Sequence, residues 1–204
     1  MSDITSAADL AALVKTLEWA DMTKLDLVIH SAGVRGLVVD PSTPIRQPSD
    51  VAKAETLAVM TAATLLRTFQ VNTVGTFALV RELLPFLRPC SSSSSSPPLS
   101  KVIIMGSRMG SISSNTSAGG AYAYRASKAA LNAIVKSLAI DVPDVCFLVV
   151  HPGRVATALC EGVREDNAME PADVLPGLIG LIEERCSLAD SGRFVDRFGE
   201  DIGW

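Results

Sequence analysis

Apolar residues recur at helical spacing through SAADLAALVKTLEWA, residues 6–20, and predict a helix. Ser6, with Asp9 three positions on, gives that helix a capping-box start. The period then changes. KLDLVIHSAG, residues 24–33, is a near-solid apolar run closed by Ala-Gly, which predicts a buried strand and a turn. Pro and Asp interrupt GVRGLVVDPSTPIRQPSD, which predicts a loop. Residues 51–88 return to helical spacing and predict two helices, the second running through FQVNTVGTFALVRELLPFLR. KVIIMGS at 101–107 and VCFLVVHPG at 145–153 are β-branched or apolar runs ending in turn residues, and they predict strands. Helices are expected over 120–141 and 171–186, the second with Pro171 in its first turn. GRFVDRFGEDIGW closes the chain with a short strand.

Strands therefore alternate with helices, and the strands are continuously apolar rather than alternating. That combination specifies a parallel sheet covered on both faces, an α/β Rossmann-like doubly wound fold, over a single domain spanning 1–204. CSSSSSSPPLS, residues 90–100, has no means of forming a core and is expected as a surface loop. In such sheets ligands bind beyond the carboxyl ends of the strands. Three strand ends carry polar or Gly-rich text, HSAG, GSRMGS and HPGRVAT, so a site is expected where they converge.

Composition narrows the function classes. The formal charge of −4, with no basic cluster, argues against a nucleic-acid partner, which needs concentrated Lys and Arg. No apolar run is long enough to span a bilayer, and the first residues lack a signal-peptide pattern, so a cytoplasmic protein is expected. Cys90, Cys146, Cys160 and Cys186 are widely spaced and form no CxxC pair; they are read as reduced thiols, with no metal site. His30 and His151 are read as neutral packing residues.

The chemistry centres on AYAYRASKAALN. Tyr124 and Lys128 are four apart on a predicted helix and so share a face. A cation beside a phenol favours the phenolate, which lowers the tyrosine pKa and equips it for proton transfer near neutral pH. Ser107 ends the strand before that helix, where its hydroxyl can hold a substrate oxygen. Such a division of labour needs a hydride carrier to complete it.

The ordered set resembles the short-chain dehydrogenase/reductase family. The matching text is DIT at 3–5, LDLVIHSAG at 25–33, FQVNTVG at 69–75, IIMGSRMGSI at 103–112, YAYRASKAALNAIVKSLAID at 122–141 and HPGRVAT at 151–157. YRASKAALN and the closing GRFVDRFGEDIGW are most similar to the branch of C-factor and sniffer, treated as NADPH-dependent carbonyl reductases or signalling reductases. The resemblance implies an NAD(P)-dependent oxidoreductase, with NADP ahead of NAD, moving a hydride between nicotinamide and a small carbonyl or alcohol. It implies Tyr124 as acid/base, Lys128 as the group that lowers its pKa and binds the nicotinamide ribose, and Ser107 as the carbonyl-orienting hydroxyl. Asn72 corresponds to the asparagine that holds a water in a proton relay to the lysine. Asp3 corresponds to an adenine contact. Ser31, Ala32 and Gly33 correspond to the turn beside the cofactor, and Pro152, Gly153, Val155 and Thr157 to the loop that binds carboxamide and diphosphate. The same residues admit structural roles: Asp3 as a helix-entry residue, Asn72 as a helix-kinking residue, Ser107 and Thr157 as caps. ALCEGVREDNAMEPAD, residues 158–173, corresponds to a substrate lid, short enough to suggest a small or exposed substrate site. The helices near 60–88 and 122–140 correspond to a homodimer interface.

One part of the pattern is missing. Family members open with a strand, a TGxxxGxG turn and a helix, whose backbone receives the diphosphate. This chain has no such motif and begins at text that follows the third strand, so an N-terminally truncated sheet is expected, with LDLVIHS as an open edge. Three accounts follow: a partial sequence of a working reductase, a short protein that has lost cofactor binding and serves as a binding or regulatory partner, or a chain that completes its sheet in an oligomer.

Overall fold

The computed structural model describes residues 3–40, 42, 44–88, 99–116 and 119–204. Strands β1 (Leu27–His30), β2 (Ser100–Met105), β3 (Val145–His151) and β4 (Arg193–Asp196) form one parallel sheet in the order β1-β2-β3-β4. The register aligns Ile29 with Ile103, Ile103 with Leu148, and Leu148 with Arg193. Among the described residues six α-helices connect and flank the strands: α1 (Ala7–Trp19), α2 (Pro48–Lys53), α3 (Ala62–Phe69), α4 (Thr76–Leu87), α5 (Tyr122–Asp141) and α6 (Pro171–Glu184).

Alternate side chains of the strands enter two separate cores. Val102, Ile104, Val145, Phe147 and Val149 point to one face and pack with Leu10 of α1, Leu83 of α4 and Leu131 and Val135 of α5. Ile103, Cys146, Leu148 and Val150 point to the other, under Val174, Leu178 and Leu181 of α6. Burial on both faces is why β2 and β3 read as continuous apolar text. Coverage stops at β1. Its Val28 and His30 turn toward the first core, whereas Leu27 and Ile29 are 44% and 52% exposed on the face that α6 does not reach. The expectation of a sheet covered on both faces therefore holds for β2 to β4 and fails for β1, which is an edge strand of the described sheet.

Several element expectations change in detail. The 51–88 region is not two helices. α2 begins earlier, with Pro48 in its first turn, and α3 and α4 are joined by a π-helix over Gln70–Gly75. The wide turn lets Asn72 reach across to the loop after β1, a local rearrangement typical of functional positions. Ser6 caps α1 by accepting from the Asp9 N–H (3.2 Å), and its hydroxyl lies 3.1 Å from Asp9 Oδ1, but the backbone N–H that the Asp9 carboxylate receives is that of Asp3 (2.7 Å) and the Ser6 N–H donates to the Asp3 carbonyl (2.9 Å), so the capping box is replaced by a wider loop. Residues 90–98 of the Ser/Pro-rich segment lie outside the described residues, Leu99 is irregular and Ser100 already begins β2.

Candidate active site

The three polar strand ends converge on one cavity of about 1130 Å³, beyond the carboxyl ends of β1, β2 and β3. Of the residues expected there, Ser31, Gly33, Ser107, Tyr124, Lys128, Pro152, Gly153, Val155 and Thr157 line it. Asp3, Ala32 and Asn72 do not.

Helix α5 sets the central pair. Its first turn is preceded by Ala121 in a left-handed conformation (φ 49°), held by an N–H bond to the Glu55 carbonyl at 2.8 Å. Tyr124 and Lys128 then fall one turn apart, both buried. The Lys128 ammonium donates to the Met105 carbonyl at the end of β2, 2.8 Å away, and lies 5.8 Å from the centre of the Tyr124 ring. Burial holds its pKa down to about 8. Ser107, one residue beyond Gly106 at the end of β2, accepts from the Met109 N–H at 3.2 Å and caps the short turn Arg108–Gly110. Its hydroxyl also favours the Tyr124 phenolate.

The phenol departs from the sequence expectation. Burial is the largest influence and holds its pKa above the ordinary tyrosine value. The opposing cation is Arg35, which sequence reasoning passed over, with its Cζ 4.9 Å from the ring centre. Arg35 sits in a loop of no recognisable pattern, and its buried partner Glu55 is twenty residues on, so no spacing signal marks either.

Asn72 is fully buried and its amide is occupied. It accepts from the Val34 N–H (2.8 Å) and donates to the Val34 carbonyl (2.8 Å) and to Ser127 Oγ (3.0 Å), tying the loop after β1 to α5. Asp3 accepts from both the N–H and the hydroxyl of Thr5 at 2.8 Å, ahead of α1, which is the helix-entry geometry. Thr157 caps the turn Ala158–Cys160 by accepting from the Leu159 N–H at 3.3 Å. Gly153 has φ +94°, a conformation that favours glycine, and a Cβ there would also displace the Arg197 guanidinium that donates to the Pro152 carbonyl at 3.1 Å. His30 and His151 are both held near pKa 4, chiefly by burial, and are neutral at pH 7. Among the described residues no group of three or more His, Cys, Asp or Glu is arranged to hold a metal ion. Cys146, Cys160 and Cys186 are free thiols.

The residues present fit the nicotinamide end of a dinucleotide. Lys128 spends one of its three N–H donors on Met105 and lines the cavity with the others, which suits ribose hydroxyls. Gly33, Val155 and Thr157 face the same space. Of the residues expected toward the diphosphate and adenine, Thr157 lines the cavity and Asp3 lies outside the lining.

A parallel sheet with helices on both faces, and a buried Tyr-x-x-x-Lys helix beside a Ser at a strand end, define a class, and a family model described as short chain dehydrogenase matches residues 1–168. The chain belongs to that family, whose cofactor is NAD(P). It is 34% identical over 182 residues to C-signal of Myxococcus xanthus, covering 88% of this chain and 93% of that one. Among solved structures it is similar to the carbonyl reductase Sniffer of D. melanogaster, with TM-score 0.79 and 27% identity, covering 99% of this chain and 76% of that one. The NADPH-bound carbonyl reductase from chicken fatty liver shares the fold, with TM-score 0.77 and 23% identity, covering 100% of this chain and 75% of the other. These place the chain with the C-factor and sniffer type within the family, and support a general oxidoreductase activity.

Proposed function

We propose that the chain reduces a small carbonyl compound with NADPH, Tyr124 delivering the proton to the carbonyl oxygen. The single observation that carries this is the burial of Tyr124, Lys128 and Ser107 around one cavity at the ends of the strands. The cofactor, when bound, supplies the hydride. Ser107 holds the substrate oxygen in reach of the phenol, and Tyr124 donates its O–H as negative charge develops there. Lys128, fixed by Met105, presents its ammonium to the nicotinamide ribose and supports the phenolate left behind. Asn72 acts indirectly, holding the loop after β1 against α5. Ala158, Leu159, Cys160 and Val163 line the cavity with apolar and thiol groups, beside Arg154 and Glu165, which favours a small substrate with an apolar part. That the similar carbonyl reductase from chicken fatty liver binds NADPH supports NADP over NAD. Free thiols suit a cytoplasmic setting. Exposed Leu66, Val74, Phe77 and Ile140 on or beside α3, α4 and α5 support a homodimer, checked by light scattering.

The test is carbonyl-dependent oxidation of NADPH followed at 340 nm, for the wild type and Tyr124→Phe. Turnover in the wild type, lost in Tyr124→Phe with NADPH affinity retained, is expected; equal loss of affinity and rate refutes the role. A second reading rests on a specific observation, the exposed Leu27 and Ile29 on the open β1 edge. In it the chain is a binding or regulatory partner without cofactor. NADPH binding measured by calorimetry separates the two.

A further inference from the structure

We propose that Arg35, clamped by Glu55, is a positioning residue for Tyr124, its guanidinium lying against the phenol and stabilising the phenolate. The inference rests on reading Tyr124 as the acid/base. Three geometric facts carry it. Arg35 and Glu55 form a two-point ion pair, Nε to Oε2 at 2.9 Å and Nη2 to Oε1 at 3.0 Å, with side chains only 9% and 11% exposed. The guanidinium carbon lies 4.9 Å from the Tyr124 ring centre, nearer than the Lys128 ammonium at 5.8 Å. Both ends of the clamp are tied to the frame of the site. The Glu55 carbonyl receives the Ala121 N–H at the entry to α5, and Asn72 fixes Val34, the neighbour of Arg35.

A buried charge pair is costly, and apolar residues of similar volume are often as stable there. Retention of this one against a tyrosine ring is explained if the ring is what it serves. A guanidinium keeps its charge at every working pH. Burial works against the Arg35 charge, but the hydrogen bonds and charge of Glu55 outweigh it and hold the group above its ordinary value. Lys128, by contrast, loses its proton from about pH 8 upward, leaving Arg35 as the permanent cation beside the phenol. The groups facing Tyr124 are Arg35, Lys128 and Ser107, which favour or accompany the phenolate, and Cys160 and Glu165, which oppose it. Glu55 limits the guanidinium's reach by pairing with it.

The chain has two tyrosines, so Tyr122→Phe leaves Tyr124 alone. Grown with 3,5-difluorotyrosine, whose phenol is more acidic, that parent gives one ¹⁹F signal whose shift against pH reports the phenolate directly. Arg35→Met is expected to move the midpoint to higher pH. Arg35→Met/Glu55→Met, which leaves no unpaired buried carboxylate if the single variant folds poorly, is expected to move it the same way. Arg35→Lys, keeping the charge, stays closer to the parent. Circular dichroism at each pH confines the comparison to folded protein. A midpoint for the double variant equal to the parent's overturns the proposal, because a purely structural pair would leave the phenol untouched. The titration needs no turnover, so this failure is distinct from residual activity in Tyr124→Phe, which would refute the acid/base reading itself.

Discussion

Acidification reaches this fold through His30. The imidazole is buried against the first core, its Nε2 is 2.9 Å from Thr76 Oγ1, and its pKa is lowered to about 4, first by burial and then by the Lys128 charge. In the unfolded chain it titrates near 6.5. Between those values the unfolded state binds the extra proton, so stability is complete above pH 6.5 and is lost as pH falls toward 4. From pH 7 to pH 5 the single group costs about 2 kcal/mol, by linkage between pKa values of about 4 and about 6.5. With a urea slope of roughly 2 kcal/mol per molar, that lowers the unfolding midpoint by about 1 M. The assay is urea denaturation followed by circular dichroism at the two pH values, on the wild type and on His30→Asn, which keeps a polar partner for Thr76 but does not titrate. Carboxylates and His151 contribute to both proteins alike, so the difference between the two pH shifts isolates His30. Equal shifts in wild type and variant would refute the reasoning.

Other outcomes follow from the same geometry. Lys128→Ala removes a buried donor that faces the cavity, and NADPH affinity should fall by roughly tenfold to a hundredfold alongside the rate, from the about 1.5–3 kcal/mol of a charged hydrogen bond; calorimetry and turnover measured together check it, and unchanged affinity would refute it. Phe147→Ala empties the centre of the first core, where Phe147 is 0% exposed, and should cost about 3–5 kcal/mol, read as a lower urea midpoint. Cys146 and Cys186, with Sγ atoms 3.2 Å apart and unbonded, should be joined by diamide, the two thiol hydrogens passing to the reagent's azo bond. Peptide mapping reads that link, and an oxidised chain without it would refute the prediction.

Legibility in the sequence followed the range of the forces involved. Period and apolar runs located the strands and most helices, because side-chain alternation and helical spacing are local properties. Tyr124 and Lys128 were visible for the same reason: one helical turn places them together whatever surrounds the helix. Ser107 was read from its place at a strand end, whereas Gly153 and Thr157 came from the family resemblance. The π-turn at Gln70–Gly75 was hidden, since the contact that accompanies it, Asn72 to Val34, joins residues 38 apart in the chain.

The sequence by itself determined a parallel α/β sheet and the residues at three strand ends, because each depends on neighbours along the chain. Only the tertiary structure decided which of them share a cavity: Ser31, Gly33, Ser107, Tyr124, Lys128 and the Pro152–Thr157 loop do, whereas Asp3 and Asn72 are turned to other contacts and Ala32 lies outside the lining. It also decided the charge state around the phenol. Desolvation and the approach of Arg35 with Glu55 are set by packing between distant segments, and electrostatic strength in an interior depends on that distance and burial rather than on spacing in the chain.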